Sequence, residues 1–209
     1  MQKLLATAAV MALLAAPAHA GNWVVDASKS SITFEASQSG EKFGGSIPAF
    51  TADITFDPAD LANAKVNVVI PLTGVSTGSP TRDADLPGPV WLDVANHPAA
   101  TFESSSFRAT GEHSYVAEGK LTIRGVSQPL VLPFDLTLED EMALATSTVS
   151  FSRMPFGIGK DWPESSGVSE NVTVKFTIHA TKAAAGAVEA PAPVAEQPVS
   201  HPPEAASAQ

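Results

Sequence analysis

The chain has 209 residues, no cysteine, 22 acidic against 12 basic residues and a formal net charge of -10. The missing cysteine excludes disulfides, thiol nucleophiles, thiolate metal sites and a lipid-bearing cysteine at a cleavage site. The acidic balance, with no basic stripe, argues against nucleic-acid binding.

The chain opens as a secretory leader. Lys3 is followed by an apolar run from Leu4 to Ala16, and Pro17-Ala18-His19-Ala20 offers small residues for a signal-peptidase cut. The run is too short for a membrane span. Cleavage after Ala20 would start the mature protein at Gly21, and the expected location is the periplasm.

From Gly21 to Lys182 the dominant pattern has period 2, the mark of strands with two unlike faces. Ile32, Phe34 and Ala36 alternate with polar neighbours, as do Phe50, Ala52, Ile54 and Phe56. Val66, Val68, Ile70 and Leu72 follow. Further on, Leu121 and Ile123 form a short apolar face, and the longest rail runs from Leu130 through Leu132, Phe134 and Leu136 to Leu138. The last run is Val172, Val174, Phe176, Ile178 and Ala180. Arg124-Gly125-Val126-Ser127 reads as a hairpin between two strong strands. Pro58–Ala62 and Trp91–Ala95 could each make a helical turn. The pattern predicts an all-β domain: about eight strands, each apolar on one face, in a sandwich or a closed barrel that removes exposed edges.

Gly74 to Ala100 lacks a convincing strand and is long for a connection. It concentrates Arg82, Asp83, Asp85, Trp91 and His97, and reads as a cover or a ligand-contacting segment. Beyond the domain, residues 183–209 are rich in alanine and proline, without aromatics or periodicity. Such a segment buries too little apolar surface to order itself and reads as a disordered tail.

Rival chemistry is weak. Gly74-Val75-Ser76-Thr77-Gly78 fits the G-x-S-x-G string of a nucleophile elbow, but Ser79-Pro80 follows instead of a helix. His97, His113 and His179 have no metal-ligand spacing. Asp83 and Asp85 could form an acid/base pair, though a solvated loop is the commoner outcome for such spacing.

The order of motifs resembles the YceI family of exported, lipocalin-like polyisoprenoid-binding proteins. The resemblance rests on Trp23-Val24-Val25-Asp26 through Ser30–Phe34, on Thr81-Arg82-Asp83-Ala84-Asp85-Leu86, and on Trp91-Leu92-Asp93 with His97–Phe102. It continues in Gly119–Val126, the closest single match, in Phe151–Gly159 and in Val172-Thr173-Val174. Asp85 stands where many members carry a histidine, and Leu92 where many carry an aromatic, so no role of that histidine carries over. This variant of the loop resembles a subgroup found beside membrane di-haem cytochromes.

The resemblance implies a single antiparallel lipocalin-like barrel enclosing an isoprenoid lipid, the tail of a quinone among the candidates, with no covalently bound cofactor, no metal and no catalysis. Transient contact with a membrane or a membrane cytochrome follows as an expectation, and a homodimer is open. On the period-2 reading, Phe34, Ile54, Phe56, Val68, Ile70, Leu121, Ile123, Leu132, Phe134, Phe176 and Ile178 face a ligand recognised by shape and hydrophobicity. Arg82, Asp83, Asp85, Trp91 and Trp162 are candidates for a polar rim. The same apolar residues could instead fill a solid core, which would suit a structural or stress-protective exported module without a ligand.

Overall fold

The computed structural model describes residues 21–160 and 167–183. Residues 1–20, expected as a leader, residues 184–209 of the Ala/Pro-rich segment, and Trp162 lie outside the described residues. Within them the chain forms ten strands: β1 (Asn22–Val25), β2 (Ser31–Gln38), β3 (Glu41–Ile47), β4 (Thr51–Thr55) and β5 (Lys65–Pro71) precede the long loop. That loop carries one short helix, α1 (Pro80–Asp85). After it come β6 (Ala99–Ala109), β7 (Ser114–Ile123), β8 (Val126–Glu139), β9 (Met142–Ser152) and β10 (Asn171–Lys182).

These ten strands make eight staves of a closed antiparallel barrel. β10 pairs along one edge with β9. Its other edge meets β2 over Thr173–Thr177 and then β1 over Ala180–Lys182. β1 and β2 are therefore two halves of one stave, bent at Asp26–Ser30. β3 and β4 form a second bent stave, pairing with β2 and β1 respectively. The ring closes through β4, β5, β6, β7, β8, β9 and β10 back to β1. Closure gives every stave a paired neighbour on both sides, the usual solution for strands with one apolar face, although β8 and β9 are laddered to each other only between Asp135–Glu139 and Met142–Thr146.

The bend in the first stave is held by long-range bonds. The Asp26 N–H donates to the His179 carbonyl at 2.8 Å, and Ser30 Oγ accepts the His179 N–H at 3.0 Å. The hairpin expected at Arg124-Gly125 has a two-residue loop with φ of 52° and 71°. Two consecutive positive φ angles match the turn that follows the natural twist of a β-ribbon.

Three details depart from the sequence reading. A helix forms at Pro80–Asp85, where none was expected, with proline at its first turn; proline suits that position because its missing N–H would be unpaired there anyway. Pro58–Ala62 and Trp91–Ala95 are turns rather than helix. Leu138 is 40% exposed, because the apolar rail of β8 runs past the end of the barrel into the hairpin with β9.

Candidate ligand cavity

Two clusters pack toward opposite ends of the barrel, around Ile123 and Tyr115 of β7 respectively. At one end Phe56 is 5% exposed and meets Phe107, Tyr115 and Phe134 edge-on at 5.3–5.8 Å between ring centres. Tyr115 and Phe134 stack at 5.5 Å, and Trp23 Nε1 donates to the Phe56 carbonyl at 2.9 Å. Edge-on rings place positive rims against negative faces, a favourable aromatic geometry. At the other end Leu72, Ala100, Leu121, Ile123, Phe156 and Ile158 pack together.

Between the clusters lies a cavity of about 400 Å³, within the range of roughly 300–1,000 Å³ typical of small-molecule sites. Its wall includes Phe34 of β2, Ile54 of β4, Val68 and Ile70 of β5, Leu132 and Phe134 of β8, and Phe176 and Ile178 of β10. These side chains are only half-buried although they point inward, because the surface they present faces a void. Phe56, Leu121 and Ile123 also border the cavity, but each is buried in an end cluster. They act as its floor and ceiling.

The polar side chains of the wall are few. Arg82, Asp85, Thr77 and Gln38 reach the wall along the β2–β3 ribbon, from Gln38 at its tip, past Phe43 beneath Arg82, to Thr77 beside the Ser46–Ser76 bridge; Trp91 and Arg153 also line it. The Arg82 guanidinium lies 4.5 Å from the centre of the Phe43 ring, a cation–π contact. Its Nε points at Thr77 Oγ1 at 3.4 Å. Among the described residues no carboxylate forms an ion pair with Arg82.

Asp83 stands apart from the cavity wall. Its carboxylate turns back and accepts Ser76 Oγ, the Thr77 N–H and Thr77 Oγ1, each at 2.6 Å. The Ser76 and Thr77 donors hold its pKa at about 2, below its ordinary value of 3.8. The role of Asp83 is to anchor: it fastens the turn before α1 and so positions Arg82 and Asp85. Ser76, the central residue of the G-x-S-x-G string, is committed to this bond and to a bridge with Ser46.

Several wall residues were not legible in the sequence. Phe43 sits in β3, whose Glu41-Lys42-Phe43-Gly44-Gly45 run has a single apolar member. Phe102 and Phe107 both point inward on β6 despite their odd spacing, because the register shifts between Ser104 and Ser106; the bulge changes the phase of the alternation. Ala143 and Ala145 of β9 are small enough to look like loop residues.

Arg153 is the one buried charged residue among those described, 7% exposed. Its guanidinium donates to the carbonyls of Ser169 at 2.8 Å, Val168 at 3.0 Å and Ile158. Burial lowers its pKa, against the pull of Glu170. Five N–H donors in a rigid fork explain why arginine is used here. It ties the end of β9 to the segment that leads into β10. Among the described residues no group of three or more His, Asp or Glu side chains is placed to hold a metal ion.

An eight-stave barrel with an apolar interior and a small polar mouth defines a lipocalin-like binding fold. The model of the YceI-like domain matches residues 23–180, and the chain belongs to that family. A UPF0312 protein of Shewanella baltica (strain OS185) is 32% identical over 187 residues, covering 84% of this chain and 98% of its own. A UPF0312 protein of Yersinia pestis (strain Pestoides F) is 42% identical over 93 residues, 44% of this chain and 48% of its own. Among solved structures, Burkholderia cenocepacia BcnA superposes with a TM-score of 0.72 at 28% identity, over 76% of this chain and all of BcnA. A polyisoprenoid binding domain from Saccharophagus degradans, implicated in plant cell wall breakdown, shares the fold with a TM-score of 0.63. It is 16% identical, over 77% of this chain and 98% of its own.

Proposed function

We propose that this protein binds a long-chain lipophilic ligand, a polyisoprenoid or an isoprenoid quinone, inside the barrel and carries it through the periplasm. It is read as a binding protein rather than an enzyme. The observation that carries this reading is the cavity of about 400 Å³ walled almost wholly by hydrocarbon, with few polar side chains, among them Arg82, Asp85, Thr77 and Gln38. Such a wall has nothing to offer a polar metabolite. A chain of isoprene units fits it by shape and dryness, while Arg82 and Asp85 are placed to meet a head group. The polyisoprenoid binding of the Saccharophagus degradans domain supports the same class of ligand.

The energetics suit a carrier. Each isoprene unit holds about four apolar carbon groups, so burying one from water is worth about 3 kcal/mol. A long tail would almost never leave the barrel into water. In a bilayer the tail is already dry, so transfer between membrane and barrel is nearly neutral. The leader-like residues 1–20 support export, and transient contact with a membrane or a membrane cytochrome belongs to the same proposal, as does a homodimer.

The test is to purify the protein from a membrane-containing lysate and analyse an organic extract by mass spectrometry. An isoprenoid series near one per chain or per dimer, retained through dialysis and lost to added liposomes, is expected. Lipid-free protein that takes up neither quinone nor polyprenol from liposomes would overturn the carrier and favour a structural module without a ligand.

A further inference from the structure

We infer that the barrel wall holds a lateral portal between β8 and β9, through which the apolar chain of a membrane lipid slides between bilayer and cavity. The inference rests on the lipid-binding reading above and adds the route. The ladder joining these two strands runs from Glu139 opposite Met142 to Asp135 opposite Thr146. Both strands continue far beyond it, β8 back to Val126 and β9 on to Ser152. Over that stretch β8 stays paired with β7, and β9 with β10. Among the described residues no ladder joins β8 to β9 there.

Chain chemistry explains the gap. The Leu136 N–H donates to the His113 carbonyl at 2.8 Å, on the β7 side. Alternate residues of a strand address opposite neighbours, so the odd-numbered residues of β8 face β9. Two of them are Pro129 and Pro133, which have no N–H to give and belong on strand edges. The Pro133 carbonyl accepts Ser147 Oγ at 2.5 Å in place of a ladder bond.

A groove of about 140 Å³ lies where the strands part, bounded by Gln128 and Pro129 on one side and Ser152, Pro155 and Phe156 on the other. Its floor is Leu121, Leu130 and Phe151, which also line the central cavity. One layer of side chains thus separates the groove from the interior. The lips are uncharged: Pro129, Val131 and Pro133 on β8, and Thr148 and Ser150 on β9, are all exposed. Val131 is 55% exposed and Met154, just past the end of β9, 37%. Charged side chains begin only one strand further out, with Glu118 opposite Val131, Lys120 opposite Pro129 and Lys175 opposite Thr148, so a hydrocarbon chain crossing between the lips themselves meets no ion to desolvate. A slit also lets the tail enter sideways while the head group stays at the Arg82 mouth, so no polar group is dragged through the apolar interior.

The test is to close the slit. Extending the existing register places Val131 opposite Ser150, and the chain has no cysteine of its own. Val131→Cys/Ser150→Cys, joined by a disulfide or a short bis-alkylating thiol reagent, is compared with Thr137→Cys/Leu144→Cys, joined in the same way within the existing ladder. The readout is uptake of a long-chain ubiquinone or a polyprenol from phosphatidylcholine–phosphatidylglycerol vesicles. Closing the slit should slow uptake about tenfold, equivalent to a small rise in barrier, and reducing the disulfide should restore it. The control cross-link should leave the rate unchanged. Pro129→Thr/Pro133→Thr, which returns two donors to the gap, should also slow uptake and extend amide-exchange protection along β8. Wild-type rates in both the cross-linked protein and the proline variant would overturn the portal while leaving lipid binding intact. A wild-type protein that takes up no lipid would overturn the lipid-binding reading and the portal together.

Discussion

The ring of Phe34 occupies the space beside Gly45, its direct partner across the β2–β3 ladder. A Cβ added at Gly45 would strike that ring, and would stand 2.6 Å from the Ser76 carbonyl. The glycine is what lets a large aromatic lie flat against the wall next to the α1 loop. Gly45→Ala should therefore cost about 1–3 kcal/mol, the usual penalty for overpacking. In a Phe34→Ala background the same change should cost less, though not nothing, because the Ser76 contact remains. Chemical denaturation of the two single variants and the double variant measures the coupling; purely additive effects would show that the ring and the glycine do not share this space.

Arg153→Lys should destabilise the segment between β9 and β10. A single ammonium cannot reproduce a fork that meets three carbonyls. Leaving buried carbonyls unpaired costs about 1–3 kcal/mol each, so a loss of at least about 2 kcal/mol is expected in urea denaturation. Faster proteolysis near residues 153–170 should accompany it. An unchanged midpoint would mean that water replaces the guanidinium freely.

Asp83 predicts an acid-sensitive mouth. Its folded pKa is depressed to about 2 from 3.8. A depressed carboxylate contributes stability that is complete above the unfolded value and is lost as pH falls through the folded one. The anchoring of α1 should thus weaken between pH 3.8 and about 2, with little change above. Asp83→Asn should flatten this part of the stability profile relative to wild type. Because Asp26 is also depressed to about 2, the comparison needs Asp26→Asn beside it; a profile that flattens only for Asp26→Asn would assign the acid sensitivity elsewhere.

Phe176 and His179 test the facing of β10. Phe176 lines the cavity, whereas the His179 backbone, not its ring, makes the bonds to Asp26 and Ser30. Phe176→Asp places an unpaired charge in the apolar interior and should unfold the protein or empty the cavity, at a cost above about 3 kcal/mol. His179→Ala should stay within about 0.5 kcal/mol of wild type. Equal effects in thermal melts would reverse the assigned faces.

Much of the fold was legible because alternation is a local property. Each side chain in a strand points opposite to its neighbour, so Ile54, Val68, Leu132, Phe134 and Phe176 declare their common face without knowledge of their partners. The turn at Arg124-Gly125 is equally local, since it needs only two residues that tolerate positive φ. Where local pattern fails, the cause is also local: β3 has glycines where a wall residue would be, β9 has alanines, and the bulge in β6 resets the phase before Phe107.

The sequence by itself therefore determined the strand chemistry, the inward face and the family of the chain. Only the tertiary structure decided three further things. Closure depends on β10 meeting both β1 and β2, a pairing of residues such as Ser30 and His179 that lie 149 positions apart. The difference between a cavity and a filled core depends on how the staves curve around their summed side-chain volumes, which no single strand encodes. Asp83 and Asp85 look equivalent as neighbours in the chain; the turn at Ser76–Thr77 offers three donors to Asp83, while Asp85 reaches the cavity. Local alternation costs nothing in chain entropy to read, whereas long-range closure is settled only when distant segments are brought together and their mutual packing offsets the loss of freedom.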